Sequence, residues 1–147
     1  PLLSDWVRQN VERPLLIGPD SESEQWVASV ARAAGAPHIV LEKLRRGDRD
    51  VAVMLPDMGA WRDYTPVLVD DIVSTGRTMI ETIGQLRRQR LPAPVCLAVH
   101  GIFSAGAEDA IFLAGSSRLV TTNTVPHQSN RIDLAEHLAE AIRSLAG

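Results

Sequence analysis

Five short apolar runs set the frame of this chain: PLLIG (14–18), HIVL (38–41), PVLVD (66–70), PVCLAVH (94–100) and RLVTTN (118–123). Their near-continuous Val, Ile and Leu content reads as strands covered on both faces. Helix-like segments separate them. In PDSESEQWVASVARAAG, Trp26, Val27, Val30, Ala31 and Ala34 fall at helical spacing. Asp20 or Ser21 can cap its start, Glu24 fits a capping box with Ser21, and Gly35 can end it. TMIETIGQLRRQR (78–90) and AGAEDAIFLAG (105–115) are also helix-like, with QLRRQR reading as a solvated face. RIDLAEHLAEAIRSL (131–145) places Ile132, Ala135, Leu138, Ala139 and Ile142 on one face, and PLLSDWVRQN opens the chain as a short helix. Strands joined through helices pair in parallel by right-handed crossovers, which puts helices on both sides of the sheet. The expectation is one α/β domain over 1–147: a doubly wound, five-stranded, mainly parallel sheet. Segment 42–65, EKLRRGDRDVAVMLPDMGAWRDYT, departs from the alternation. It is long, charged and broken by Gly and Pro, and only DVAVML (50–55) reads as a strand, so a hairpin flap is expected there.

Composition limits the partners. With 45% hydrophobic and 22% charged residues the chain can bury an ordinary core. A net charge of −3 gives no general attraction to nucleic acid or an anionic membrane. Cys96 is the only cysteine, which excludes a disulfide framework and a cysteine-based zinc site. Mid-strand, it is expected to be buried and inert, and the composition suits a reducing cytosol. No apolar run approaches membrane-spanning length. The chain starts at Pro1 rather than Met, and the expectation is processing or excision from something longer.

Ligands of open parallel sheets bind beyond the carboxyl ends of the strands, and the polar residues gather there. Asp20 and Ser21 follow the first run; Glu42, Lys43, Arg45 and Arg46 the second; Asp70 and Asp71 the third; His100 the fourth; Thr121 to Asn123 the fifth. After the third run, LVDDIVSTGRT (68–78) sets two acids against a loop of Ser74, Thr75, Gly76, Arg77 and Thr78 that leads into a helix. Free N–H groups, hydroxyls and the helix dipole suit a phosphate. Gly76 permits φ > 0 and a close backbone approach. The acids cannot bind that anion. They can accept from sugar hydroxyls or hold a divalent cation, and a phosphorylated sugar presents both kinds of group. The bland alternatives are a well-capped turn at Asp70–Thr78, a helix-capping Asp20 and a solvated basic loop at Lys43–Arg46. Neither GxxxxGK[ST] nor GxGxxG occurs.

VLVDDIVSTGRT resembles the PRPP-binding motif of the type I phosphoribosyltransferase fold. IGPDSESEQWVASVARAAGAPHIVLEKLRR, AVHGIFSAGAEDAI and LVTTNTVPH together resemble the C-terminal half of the ribose-phosphate diphosphokinase (PRPP synthetase) family. That resemblance implies an enzyme of nucleotide biosynthesis, cytoplasmic and homo-oligomeric, that moves a diphosphate from ATP to the C1 hydroxyl of ribose 5-phosphate with Mg²⁺. It implies ribose-holding roles for Asp70 and Asp71, 5-phosphate binding by Ser74, Thr75, Gly76, Arg77 and Thr78, and Mg²⁺ binding by Asp20. It makes Lys43 and Arg45 the catalytic flap cations, with Arg46 the alternative to Arg45. Ser74 stands where many members have Asp, and Arg77 where many have Gly. Because the family's ATP site draws on an N-terminal half, this chain alone is expected to bind ribose 5-phosphate or PRPP without turnover. The rival expectations are a phosphoribosyltransferase that consumes PRPP and a non-catalytic ribose-phosphate-binding homologue.

Overall fold

The computed structural model describes residues 2–46 and 50–147, with the side chains of residues 44–51 outside that description. Among the described residues, β1 (Pro14–Gly18), β2 (His38–Val40), β5 (Thr65–Val73), β6 (Val95–Gly101), β7 (Arg118–Thr122) and β8 (Asn130–Ile132) form one sheet. Its order is β2-β1-β5-β6-β7-β8 and every pairing is parallel. The chain moves outward from β1 to β2, then crosses back to place β5 on the other side of β1. The β1/β5 seam is therefore a topological switch point, where crossovers on its two sides leave in opposite directions.

Alternation along the strands divides the core between two faces. Leu15, Ile17, Leu68, Cys96, Ala98 and Leu119 pack with α3 (Arg77–Arg88) and α4 (Ala107–Ala114). Leu16, Val67, Val69, Val95, Leu97 and Val120 pack with α1 (Leu2–Asn10) and α2 (Glu24–Ala34). Each fully buried side chain of this size contributes about 1.5–3 kcal/mol. Gly35, at φ 69°, ends α2 in the left-handed conformation expected of a helix-terminating glycine. No residue of α5 (Ala135–Ala146) is buried, and Leu138, Ile142 and Leu145 are exposed.

The flap is a hairpin of β3 (Glu42–Arg46) and β4 (Asp50–Met54), with Lys43 opposite Val53. Side chains of α3 close the outer edge of β4. Glu81 Oε1 accepts from the Val53 N–H (3.0 Å) and Gln85 Oε1 from the Leu55 N–H (3.1 Å), while Gln85 Nε2 donates to the Val53 carbonyl (2.5 Å). One turn on, Gln89 repeats the pattern, accepting from the Met58 N–H (2.7 Å) and donating to the Pro56 carbonyl (2.9 Å). QLRRQR is thus not uniformly solvated: Arg87, Arg88 and Arg90 are exposed, while Gln85 and Gln89 turn inward.

Two boundaries differ from expectation. The sheet has six strands rather than five, because Asn130–Ile132 pairs with β7 and the last helix begins at Ala135 instead of 131. Three residues with a register irregularity at Thr121/Thr122 leave too short a run for periodicity to reveal. In addition β5 continues to Val73, which places both aspartates inside the strand.

Candidate functional site

The switch point opens into a cleft of about 490 Å³ lined by Pro19, Asp20, Glu22, Ser23, Trp26, Asp70 and Asp71. Gly18 brings the chain out of β1 so close to α2 that a Cβ would lie 2.8 Å from Val27 Cγ2. Asp20 then caps the short 3-10 turn Ser21–Ser23, its Oδ1 accepting from the Ser23 N–H at 3.0 Å. Its other oxygen, Oδ2, lies 3.3 Å from Lys43 Nζ. One oxygen of Asp20 therefore caps the turn while the other faces Lys43.

Asp70 and Asp71 form the opposite wall. Asp70 Oδ1 accepts from the Asp71 N–H, and Asp71 Oδ1 from the Ile72 N–H, both at 2.8 Å. Burial first, then a side-chain hydrogen bond with Asp71 and the charge of Asp71, push the Asp70 carboxyl up to about 7, against the Asp71 N–H bond, which lowers it. Lys43 pulls in the opposite direction with a smaller effect.

The loop beyond β5 is braced from behind. The Val73 carbonyl accepts from the Ile102 N–H (2.9 Å), and the Ser74 carbonyl accepts from both the Ser104 N–H (3.0 Å) and Ser104 Oγ (3.3 Å). The peptide bonds of the described residues are trans, so each carbonyl points opposite to the N–H of the next residue. Two successive carbonyls turned toward Ile102–Ser104 direct the N–H groups of Ser74 and Thr75 away from it together. A pair of adjacent donors suits an anion. Gly76 follows at φ 74° and its carbonyl accepts from the Ile80 N–H in the first turn of α3. A Cβ on Gly76 would lie 2.8 Å from Ile111 Cδ1. The hollow here, about 120 Å³, is lined by Asp70, Ile72 and every residue from Val73 to Met79. The N-terminus of a 12-residue helix adds its dipole to this anion seat.

The structure brings Asp20, Lys43, Asp70 and Asp71 together and places Ser74, Thr75, Gly76, Arg77 and Thr78 around the adjoining hollow. The Arg45 backbone pairs with Val51 in the hairpin, while the side chains of Arg45 and of its alternative Arg46 lie outside the described residues. Sequence reasoning missed Ile102 and Ser104, whose effect runs through backbone bonds and leaves no residue pattern. It also missed Glu22 and Trp26, which enter the cleft only because α2 starts there. A signal did exist for Glu81, Gln85 and Gln89, whose spacing of four places three amide or carboxylate groups along one helix flank. Cys96 is buried as expected, and burial raises its thiol to about 11.

For a metal, the donor chemistry fits Mg²⁺. Asp20, Asp70 and Asp71 offer hard carboxylate oxygens to one cleft. Among the described residues no group of three or more His, Cys, Asp or Glu could hold a metal ion. Mg²⁺ characteristically needs only one or two carboxylates when phosphates and water complete its shell.

A doubly wound parallel sheet with a glycine loop and paired acids at its switch point is the architecture shared by type I phosphoribosyltransferases. Comparison with known proteins is specific: the chain belongs to the phosphoribosyl transferase domain family, which matches residues 2–104. The ribose-phosphate pyrophosphokinase of Thermoplasma volcanium is 30% identical over 137 residues, 93% of this chain and 47% of that protein. That of Methanopyrus kandleri is 29% identical over 133 residues, 90% of this chain and 45% of its own length. The crystal structure of phosphoribosylpyrophosphate synthetase from Mycobacterium smegmatis superposes with a TM-score of 0.78 at 25% identity, covering 98% of this chain and 49% of that one. An adenine phosphoribosyltransferase, at 13% identity and a TM-score of 0.61, shares the fold. The chain spans about half the length of the curated relatives it matches.

Proposed function

We propose that this chain is the ribose 5-phosphate-binding half of a ribose-phosphate diphosphokinase, corresponding to the C-terminal half of a two-domain enzyme. One observation carries the reading: Asp70 lines both the loop hollow and the Asp20 cleft, so the anion seat and the Asp20–Lys43 pair border one continuous site. The 5-phosphate sits on the Ser74 and Thr75 N–H groups at the start of α3, with the hydroxyls of Ser74, Thr75 and Thr78 and the Arg77 charge around it. Asp70 and Asp71 accept from the ribose hydroxyls. This orients the C1 hydroxyl toward the larger cleft, where the diphosphate of ATP arrives.

Transfer of a diphosphate asks the protein mainly for position and charge. Lys43, held near Asp20 in the resting site, swings its ammonium onto the transferring phosphates, and Arg45 on the same strand supplies a second cation. Mg²⁺, when bound, neutralises phosphate charge, with Asp20 and the Asp70–Asp71 pair as its carboxylate side. The ATP site is assigned to the other half of the longer chain, and the working assembly is a homo-oligomer.

Isothermal calorimetry of the 147-residue chain with ribose 5-phosphate tests the binding role, and the expected result is saturable binding that is lost in the Asp70→Asn/Thr78→Ala double variant. Incubation with ATP, Mg²⁺ and ribose 5-phosphate is expected to release no AMP. Unchanged affinity in the double variant removes the site assignment, and clear AMP release removes the half-enzyme reading.

A further inference from the structure

The polar flank of α3 does more than solvate a helix. Gln85 bridges the Val53 carbonyl and the Leu55 N–H, and Gln89 bridges the Pro56 carbonyl and the Met58 N–H. In each case a side-chain amide joins an acceptor at residue i to a donor at i+2, the pair of groups that a neighbouring strand's peptide would engage. Glu81 adds an acceptor for the Val53 N–H. The three side chains substitute for a missing strand along β4, whose edge would otherwise offer unpaired groups.

The result for the site is specific. Val53 lies directly across the hairpin from Lys43, and its N–H and carbonyl are both taken by α3. Its own side chain is buried beneath, as is Met58. Lys43 in turn reaches Asp20 at 3.3 Å. The helix that carries the anion seat at its start therefore also fixes, along its flank, the strand pair that carries the flap lysine. Along α3, Gly76 to Gln85 spans about 14 Å at 1.5 Å per residue.

We propose that Glu81, Gln85 and Gln89 are positioning residues for Lys43, and that Gln85, with its two bonds at Val53 and Leu55, is the principal one. These side chains act through β4 and set where the Lys43 ammonium stands relative to the bound ribose 5-phosphate. The inference rests on the catalytic reading of Lys43 given above.

The test uses the natural full-length chain, assayed for PRPP formation with ATP, Mg²⁺ and ribose 5-phosphate. Gln85→Leu keeps the bulk and removes both bonds. Its kcat is expected to fall at least tenfold while KM for ribose 5-phosphate stays within twofold. Calorimetry with ribose 5-phosphate verifies that the phosphate loop is still folded. In the Lys43→Ala background, Gln85→Leu is expected to cost almost nothing more, because both changes remove the same cation from the same place. Glu81→Gln, which keeps an acceptor for the Val53 N–H, is expected to recover most of the rate lost in Glu81→Ala. A Gln85→Leu enzyme with wild-type kcat, or full additivity with Lys43→Ala, overturns the inference alone. A full-length wild-type enzyme that makes no PRPP overturns it together with the diphosphokinase reading.

Discussion

The loop after β5 and the flap both neighbour the Asp70 site but are built in opposite ways. Residues 73–76 are held by main-chain bonds to Ile102 and Ser104, by a positive-φ glycine and by close packing on Ile111. The flap's described contacts with α3 are made by side chains: two glutamines and one glutamate on β4 and the turn after it. On the proposed reading the loop presents fixed donors to the 5-phosphate, whose charge does not change during transfer, and a preformed seat avoids ordering costs at binding. On the same reading the flap delivers the Lys43 cation to charge that is redistributed. On the proposed function, backbone geometry then sets affinity and side-chain geometry sets rate.

The sharpest way to break this division is at Gly76. A Gly76→Val variant forces a β-branched residue to φ 74° and drives its Cβ into Ile111. The strain of about 1–3 kcal/mol, added to the clash, is expected to lower ribose 5-phosphate affinity about a hundredfold by calorimetry, with the far half of the sheet intact by circular dichroism. Asp70→Asn comes next. A carboxylate acceptor for sugar hydroxyls is worth about 1.5–3 kcal/mol, so affinity at pH 8 is expected to drop by roughly tenfold or more.

The same residue gives a pH signature. Its carboxyl is raised to about 7 in the folded chain and returns to about 3.9 on unfolding. Between those values the folded state binds the extra proton, so this group's contribution to stability falls as the pH rises through that window and is least favourable above about pH 7. Asp70→Asn is therefore expected to melt higher than wild type at pH 8, with the gap narrowing as the pH is lowered toward 4. An equal gap at both ends would contradict the burial and Asp71 origin of the shift. Wild-type binding of ribose 5-phosphate is expected to weaken below about pH 7, as Asp70 takes up its proton.

Gln89→Ala probes the other side. Loss of two bonds to residues 56 and 58 is expected to cost about 1–2 kcal/mol in urea unfolding while ribose 5-phosphate affinity holds within twofold. A parallel loss of affinity would erase the distinction between loop and flap. The smallest effect is expected for Ser104→Ala. It removes only the 3.3 Å hydroxyl bond and leaves the stronger N–H bond to the Ser74 carbonyl. About 0.5–1 kcal/mol, a two- to fivefold loss of ribose 5-phosphate affinity, is expected.

What could be read from the sequence follows the same division. Runs such as PVCLAVH carry their own instruction, because a strand buried on both faces must be apolar throughout. DDIVSTGRT carries its chemistry in the order of its residues, so Asp70 and Gly76 could be assigned roles before any coordinates. Ser104 could not, since its N–H donates whatever side chain it bears. Gln85 and Gln89 looked like ordinary surface residues of an arginine-rich helix until β4 came to rest beside them. β8 is three residues that become a strand only because β7 offers an edge. Sequence patterns expose what burial demands of side chains, and they are silent where one main chain recruits another.

Cys96 gives the molecule a built-in timer. It is the chain's one thiol, on the central strand β6, fully buried, with its Sγ 3.4 Å from Ser116 Oγ. Buried and with its ionisation pushed to about 11, it is expected to resist alkylating reagents while the sheet is closed. Every labelling event then records one opening of the middle of the protein.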